Sequence, residues 1–67
     1  MQLDRFLKRQ EVEAVTGYSR SSIYRLIELG EFPRPIAFNP CSVRWRESDV
    51  AAWQQRMIER AEQGLAA

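Results

Sequence analysis

Histidine is absent from this 67-residue chain, and Cys41 is its one cysteine. A lone cysteine cannot form a disulfide within the chain, and without histidine or a second cysteine the usual ligands of structural zinc are missing. A chain of this length is close to the lower limit for folding on a hydrophobic core alone. The sequence therefore predicts a single domain, residues 1–67, whose elements share one core in a reducing cytosol.

Long apolar runs are absent too. No stretch approaches the roughly 18 apolar residues of a membrane span. The first residues, MQLDRFLKRQEV, have neither the apolar core nor the cleavage site of a signal peptide. We expect a cytoplasmic protein with no membrane partner.

Groups for catalysis are scarce. With no histidine, one cysteine and no glycine-rich phosphate loop, the chain lacks most of the usual bases, nucleophiles and metal ligands. A chain of this size also cannot easily enclose a pocket that excludes water. We predict a protein that is not an enzyme and takes no cofactor.

The net charge of +1 hides an uneven distribution. Residues 18–46 hold five arginines against two glutamates, whereas residues 1–17 sum to zero and residues 47–67 are acidic in sum. Arginine has a planar guanidinium that binds phosphates and guanine edges through two hydrogen bonds at a time. The central segment therefore carries the charge that suits nucleic acid.

A first short helix is predicted over residues 8–16, because Val12 and Val15 lie three residues apart and Gly17 is a natural helix end. The apolar residues that precede it are expected to dock as an extended or staple-like lead-in: Leu3, Phe6 and Leu7.

A second helix is predicted over residues 20–29, because Ser19 is a good N-cap and Gly30 a natural end. Only three residues then separate the two helices. Its apolar residues share one face, Ile23, Leu26 and Ile27, and its polar residues share the other: Arg20, Ser21, Tyr24, Arg25 and Glu28. Two helices joined by a short glycine-containing turn are typical of a helix-turn-helix, whose second helix enters the DNA major groove.

A β-hairpin is predicted next, over residues 36–46, since Pro33 and Pro35 prevent the helix from continuing. Its second strand alternates apolar residues with arginines, so Arg44 and Arg46 should face outward.

The last helix is predicted over residues 47–63, from acidic residues in its first turn and an apolar stripe, with a frayed end at residues 65–67. Trp45 and Trp53 lie on apolar faces and are expected in the core rather than stacked on bases.

Four ordered motifs resemble the AlpA-like prophage regulators. They are R-x-L-x-x-x-E-V at residues 5–12, T-G-x-S-R-S-S-I-Y-R-L at 16–26, G-E-F-P-R-P at 30–35 and W-R-E-S-D-V-A-A-W at 45–53. The resemblance covers about residues 5–58. The AlpA-like regulators in turn resemble phage excisionases and, more distantly, the winged DNA-binding domains of MerR-type regulators.

The resemblance implies a mainly α-helical winged helix-turn-helix, with three helices and a two-stranded wing. It implies a protein of the bacterial cytosol and nucleoid that binds double-stranded DNA at promoters or attachment sites and controls transcription or excision of an integrated element. Carried over by position, the DNA-binding residues of the recognition helix are Ser19, Arg20, Ser21, Ser22, Tyr24 and Arg25. Those of the wing are Arg34, Arg44 and Arg46.

Several alternatives stay open. The arginines of the second helix could form an ordinary solvated face, with Arg25 paired to Glu28 or Glu31. Tyr24 could offer its hydroxyl to a phosphate or simply cover the edge of the core. The whole domain could instead inhibit a protein partner, or act as a recombination directionality factor on an integrase or a response regulator.

The oligomeric state is open as well. A cooperative array on repeated sites and a dimer on a palindrome are both compatible with the sequence. Three apolar residues of the last helix could form an edge for a second copy or another protein: Met57, Ile58 and Leu65.

Overall fold

The computed structural model describes residues 3–66, and side chains as far as residue 64. The elements, in chain order, are β1 (Phe6–Leu7), α1 (Arg9–Thr16), α2 (Arg20–Glu28), β2 (Ile36–Asn39), β3 (Ser42–Arg46) and α3 (Glu47–Ala66). Three helices and an antiparallel β2–β3 hairpin confirm the predicted winged helix-turn-helix.

Strand β1 is an addition to that prediction. It pairs antiparallel with β3, placing Phe6 opposite Arg46 and Leu7 opposite Trp45, so the sheet has three strands in the order β1-β3-β2. Leu7 is buried, as expected of a docked lead-in, but Leu3 is 98% exposed, and for this residue the expectation was wrong. The pairing begins only at Phe6, so Leu3 lies beyond the part of the segment that the sheet holds.

One hydrophobic core joins the elements. Its buried members are Leu7, Val12, Ile23, Ile27, Phe32, Trp45, Val50 and Trp53. Both tryptophans are therefore core residues, as predicted. Val15 is 52% exposed despite its helical spacing from Val12, because the eight-residue helix α1 turns a narrow face toward the core.

Helix α3 continues to Ala66, three residues beyond the predicted end. Gly64 lies within it, and an exposed glycine costs a helix only about 1 kcal/mol relative to alanine. Of the predicted frayed end, Leu65 and Ala66 have helical backbone, whereas Ala67 and the side chain of Leu65 lie outside the described residues. Beyond Met57, which packs against the core, the described side chains of α3 are exposed.

Candidate nucleic-acid interface

The turn between α1 and α2 is closed at both sides by local hydrogen bonds. Gly17 adopts φ 77°, a left-handed conformation that glycine accepts without a Cβ clash, and its N–H donates to the Glu13 carbonyl at 2.8 Å. Ser19 caps α2 by accepting a hydrogen bond from the Ser22 N–H at 3.3 Å. The three-residue turn that the sequence predicted therefore sets where α2 begins.

The other end of α2 is closed by a Schellman motif. The Glu31 N–H donates to the Leu26 carbonyl at 2.8 Å, and the Gly30 N–H donates to the Ile27 carbonyl at 3.0 Å. Gly30 has φ 75°, again in the left-handed region. Helix α2 is thus bounded by a cap and a stop, and its length does not depend on a partner.

The two faces of α2 differ sharply in exposure. Ile23 and Ile27 are buried in the core. Arg20, Ser21 and Arg25 are exposed. The amphipathic pattern in the sequence therefore corresponds to one face packed on the domain and one face open to a partner.

Tyr24 connects these two faces. Its ring packs edge to face against Trp45, with centroids 6.4 Å apart, and the guanidinium carbon of Arg20 lies 6.0 Å from the centroid of the Tyr24 ring. The half-buried tyrosine therefore covers the core edge and supports Arg20 as well. This contact depends on Trp45 in β3, so nothing near Tyr24 in the sequence indicates it.

Within the described residues, none of the ion pairs involves a residue of α2. Arg5 pairs with Glu11 and Glu47 at 3.2 and 3.7 Å, Arg9 pairs with Glu13 at 3.3 Å, and Arg46 pairs with Asp49 at 2.9 Å.

Within residues 3–64, Arg20, Arg25 and Arg34 form no ion pair. The alternative in which Arg25 pairs with Glu28 or Glu31 is therefore not what the structure has. These three guanidinium groups are free to bind an external anion.

The predicted wing residues are less available. Arg46 donates to both carboxylate oxygens of Asp49, at 2.9 and 3.2 Å. Arg44 lies over the ring of Phe38, 5.8 Å from its centroid, and donates to the Val43 carbonyl at 2.8 Å. Both arginines face away from the core as predicted, but their groups already have contacts within the sheet.

Arg34 lies in the linker between α2 and β2 and is exposed. The indole N–H of Trp45 donates to the Pro33 carbonyl at 2.9 Å, which fixes this linker against the sheet next to Arg34. The structure therefore separates the nine predicted site residues into six on or beside α2, one in the anchored linker and two within the sheet.

Asp4 is a structural residue that the sequence pattern did not reveal. Its carboxylate accepts hydrogen bonds from the Ser48 N–H at 3.2 Å and the Ser48 hydroxyl at 2.6 Å, at the first turn of α3. The Ser48 hydroxyl bond holds the pKa of Asp4 below its usual value. The two residues are 44 positions apart, and a cap across that distance has no local sequence signal.

The part of the chain that the structure describes also bears on metal sites, membrane spans and surface grooves. Residues 3–66 contain no group of three histidine, cysteine, aspartate or glutamate side chains that could hold a metal ion. No helix in the same range is both long enough and apolar enough to cross a membrane. A surface groove between the β1 segment, α1 and α3 is lined by Leu7, Val15 and Val50 among others, and it does not include α2.

Known proteins similar to this chain come from prophages and phages. The family model of the prophage CP4-57 regulatory protein AlpA matches residues 5–58. The chain is 41% identical over 61 residues to the uncharacterized protein ORF88 of Enterobacteria phage P4, and this similarity covers 91% of the chain and 69% of ORF88. No solved structure matches the chain.

Proposed function

This chain belongs to the AlpA family of prophage regulatory proteins, and on that premise we propose that it is a sequence-specific regulator that binds double-stranded DNA. It inserts α2 into the major groove at a promoter or attachment site of an integrated element. By occupying that site it controls transcription, excision or both.

The observation that carries this proposal is the exposed face of α2. Arg20 and Arg25 are exposed there and, within the described residues, form no ion pair, while Ile23 and Ile27 hold the opposite face in the core. An α-helix with its side chains is about 10–12 Å across, so the major groove, about 12 Å wide, admits it, and the nine residues of α2 extend about 14 Å. Free arginines on a rigid helix of this size suit base edges and phosphates.

Each predicted residue has its own place in the proposal. Arg20, held over Tyr24, reads a guanine edge through two hydrogen bonds, and Arg25, five residues along, binds a phosphate. Ser21 and Ser22 offer hydroxyls at the start of the helix, where backbone N–H groups also suit a phosphate. Ser19 acts as the cap that keeps those N–H groups in place.

The other three predicted arginines differ in how readily they can bind DNA. Arg34 is exposed, lies in no ion pair of the described residues, and extends the cationic surface beyond α2. Arg44 and Arg46 must give up contacts with Phe38 and Asp49 before they bind DNA. The proposal therefore depends on α2 and Arg34, and treats the hairpin arginines as secondary.

Protection mapping on the DNA that flanks the protein's own gene tests the proposal. With an excess of unrelated competitor DNA, we expect protection confined to discrete segments about one helical turn long for each bound copy. Uniform weak protection would reduce the function to nonspecific binding. No protection at low salt, where phosphate contacts are strongest, would overturn the proposal.

A further inference from the structure

The side of the sheet that faces away from the core carries an exposed apolar patch. Ile36 lies opposite Arg44 across the β2–β3 pair, and Phe6 lies opposite Arg46 across the β1–β3 pair, so all four share one face. The neighbouring pair, Leu7 and Trp45, points into the core. We call Phe6, Ile36, Phe38 and Arg44 the outer sheet face.

The three hydrophobic residues of the outer sheet face form a joined surface. Phe6, Ile36 and Phe38 are 46%, 38% and 51% exposed. The rings of Phe6 and Phe38 pack edge to face with centroids 5.0 Å apart, and Arg44 lies over the Phe38 ring. A contiguous apolar surface of this kind on a small protein is typical of a protein interaction site, and the Arg44 cation beside it, which forms no ion pair within the described residues, favours an acidic partner.

A surface with the matching chemistry lies on α3. Ile58 is 46% exposed, and Glu62, one turn later on the same side of the helix, forms no ion pair within the described residues. Arg56 and Arg60 are each two positions from Ile58 and therefore lie on the opposite side. We call Gln54, Ile58 and Glu62 the distal α3 face.

The two faces of one molecule cannot meet. Helix α3 packs on the core side of the sheet through Val50 and Trp53, and Ile58 lies eleven residues into it, about 16 Å along its axis. The outer sheet face of one molecule can therefore meet a distal α3 face only on another molecule.

We propose that the outer sheet face binds the distal α3 face of a second copy of this chain. Phe6, Ile36 and Phe38 cover Ile58 of the second copy, and Arg44 pairs with Glu62 of that copy. The contact joins two different surfaces, so each copy keeps one free face of each kind and the assembly can continue from copy to copy.

The contact is small. Three side chains on one face and a single helical stripe on the other are well below the roughly 800 Å² per partner of a standard stable interface. Free copies therefore associate weakly. Copies held at neighbouring DNA sites are present to one another at an effective concentration in the millimolar range, which favours the contact.

A complementation experiment in the absence of DNA tests the proposal. One variant, Phe38→Ser, loses the sheet face and keeps the α3 face, and a second, Ile58→Ser, does the reverse. Serine is used at both positions because it introduces no charge that could create a new pair. Exposed Ala52 of α3 lies away from the stripe, so Ala52→Ser is the matched control.

Sedimentation equilibrium at protein concentrations up to about 1 mM measures the average mass. We expect the average mass of the parent and of the Ala52→Ser control to rise past twice the 7.9 kDa monomer mass. Phe38→Ser alone and Ile58→Ser alone should each stay near the monomer mass. An equimolar mixture of Phe38→Ser and Ile58→Ser retains one intact pairing, so its mass should increase toward a dimer and go no further. Thermal melts confirm that each variant is folded.

Three results would overturn the proposal. They are a parent that stays monomeric at every concentration, folded variants that associate like the parent, and a mixture that behaves as the sum of its parts. Because no DNA is present, these outcomes are independent of whether the protein binds DNA.

Discussion

Tyr24 and Trp45 pack edge to face with ring centroids 6.4 Å apart, so the exposed face of α2 is supported directly by a fully buried side chain of β3. Tyr24 in turn lies beneath the Arg20 guanidinium. The position of a proposed base-reading residue therefore depends on a contact between two elements that are distant in the chain.

Replacing Tyr24 tests this dependence. In Tyr24→Ala the ring that supports Arg20 is lost, and we expect DNA affinity to fall by about twofold to fivefold, since a surface cation–π contact contributes about 0.5–1 kcal/mol. Tyr24→Phe keeps the ring and should retain most of the affinity. A loss in Tyr24→Phe as large as that in Tyr24→Ala, measured by fluorescence anisotropy on a duplex, would instead assign the role to the hydroxyl group.

Replacement by alanine should lower the free energy of unfolding at Gly17 and Gly30 but raise it at Gly64. Gly17 and Gly30 have positive φ, so alanine there is strained by about 1 kcal/mol even though no atom lies within 4 Å of the added Cβ. Gly64 lies inside α3, where alanine should stabilise the helix by up to about 1 kcal/mol. Urea unfolding measures all three, and equal effects at Gly30 and Gly64 would contradict the helix stop described for α2.

The hydrogen bonds from Ser48 to Asp4 predict a pH dependence of stability. They lower the pKa of Asp4 in the folded protein, so the unfolded chain binds the proton first as the pH falls. The stabilisation is fully present above the unfolded-state pKa of about 3.9 and is lost as the pH falls through the lower folded-state value. Asp4→Asn should therefore be less stable near neutral pH and lose less of its stability on acidification.

Urea midpoints measured from neutral pH down through the acid range check this. The matched control is Glu31→Gln, an exposed carboxylate that forms no ion pair within the described residues. A profile for Asp4→Asn that parallels the parent through the acid range would show that the Asp4 cap is not formed in solution.

Local signals made the helices of this fold predictable. Gly17 and Gly30 mark helix ends through their backbone preferences, and Ser19 marks one through its capping hydroxyl. Ile23 and Ile27 mark the buried face through their spacing. Because each of these effects acts over a few residues, the sequence alone was sufficient to place α2 and its exposed side.

Contacts between distant segments were not predictable in the same way. Strand β1 is only two residues long, too short for an alternating pattern to be visible, and its partner Trp45 is 38 residues further on from Leu7. The Asp4 cap of α3 and the support of Tyr24 by Trp45 depend on how the sheet brings its neighbours together. The alternation of β3 correctly indicated outward arginines, but it did not indicate what they contact.

The central claim is that α2 presents free arginines to DNA, and a pair of double variants with equal charge tests it most directly. Arg20→Ala with Arg25→Ala removes two cations from α2. Arg56→Ala with Arg60→Ala removes two from exposed positions of α3 that, within the described residues, also form no ion pair. Binding of each protein to a duplex that the parent protects is measured over a range of salt concentrations.

We expect the α2 double variant to lose specific affinity by tenfold or more, because a bidentate base contact contributes about 1–3 kcal/mol. Its plot of log affinity against log salt should flatten by about one unit for the phosphate contact of Arg25. The α3 double variant should follow the parent in both respects. Equal losses of affinity in the two double variants would show that binding depends on net charge and not on the position of α2. An affinity of the α2 double variant equal to that of the parent would contradict the account.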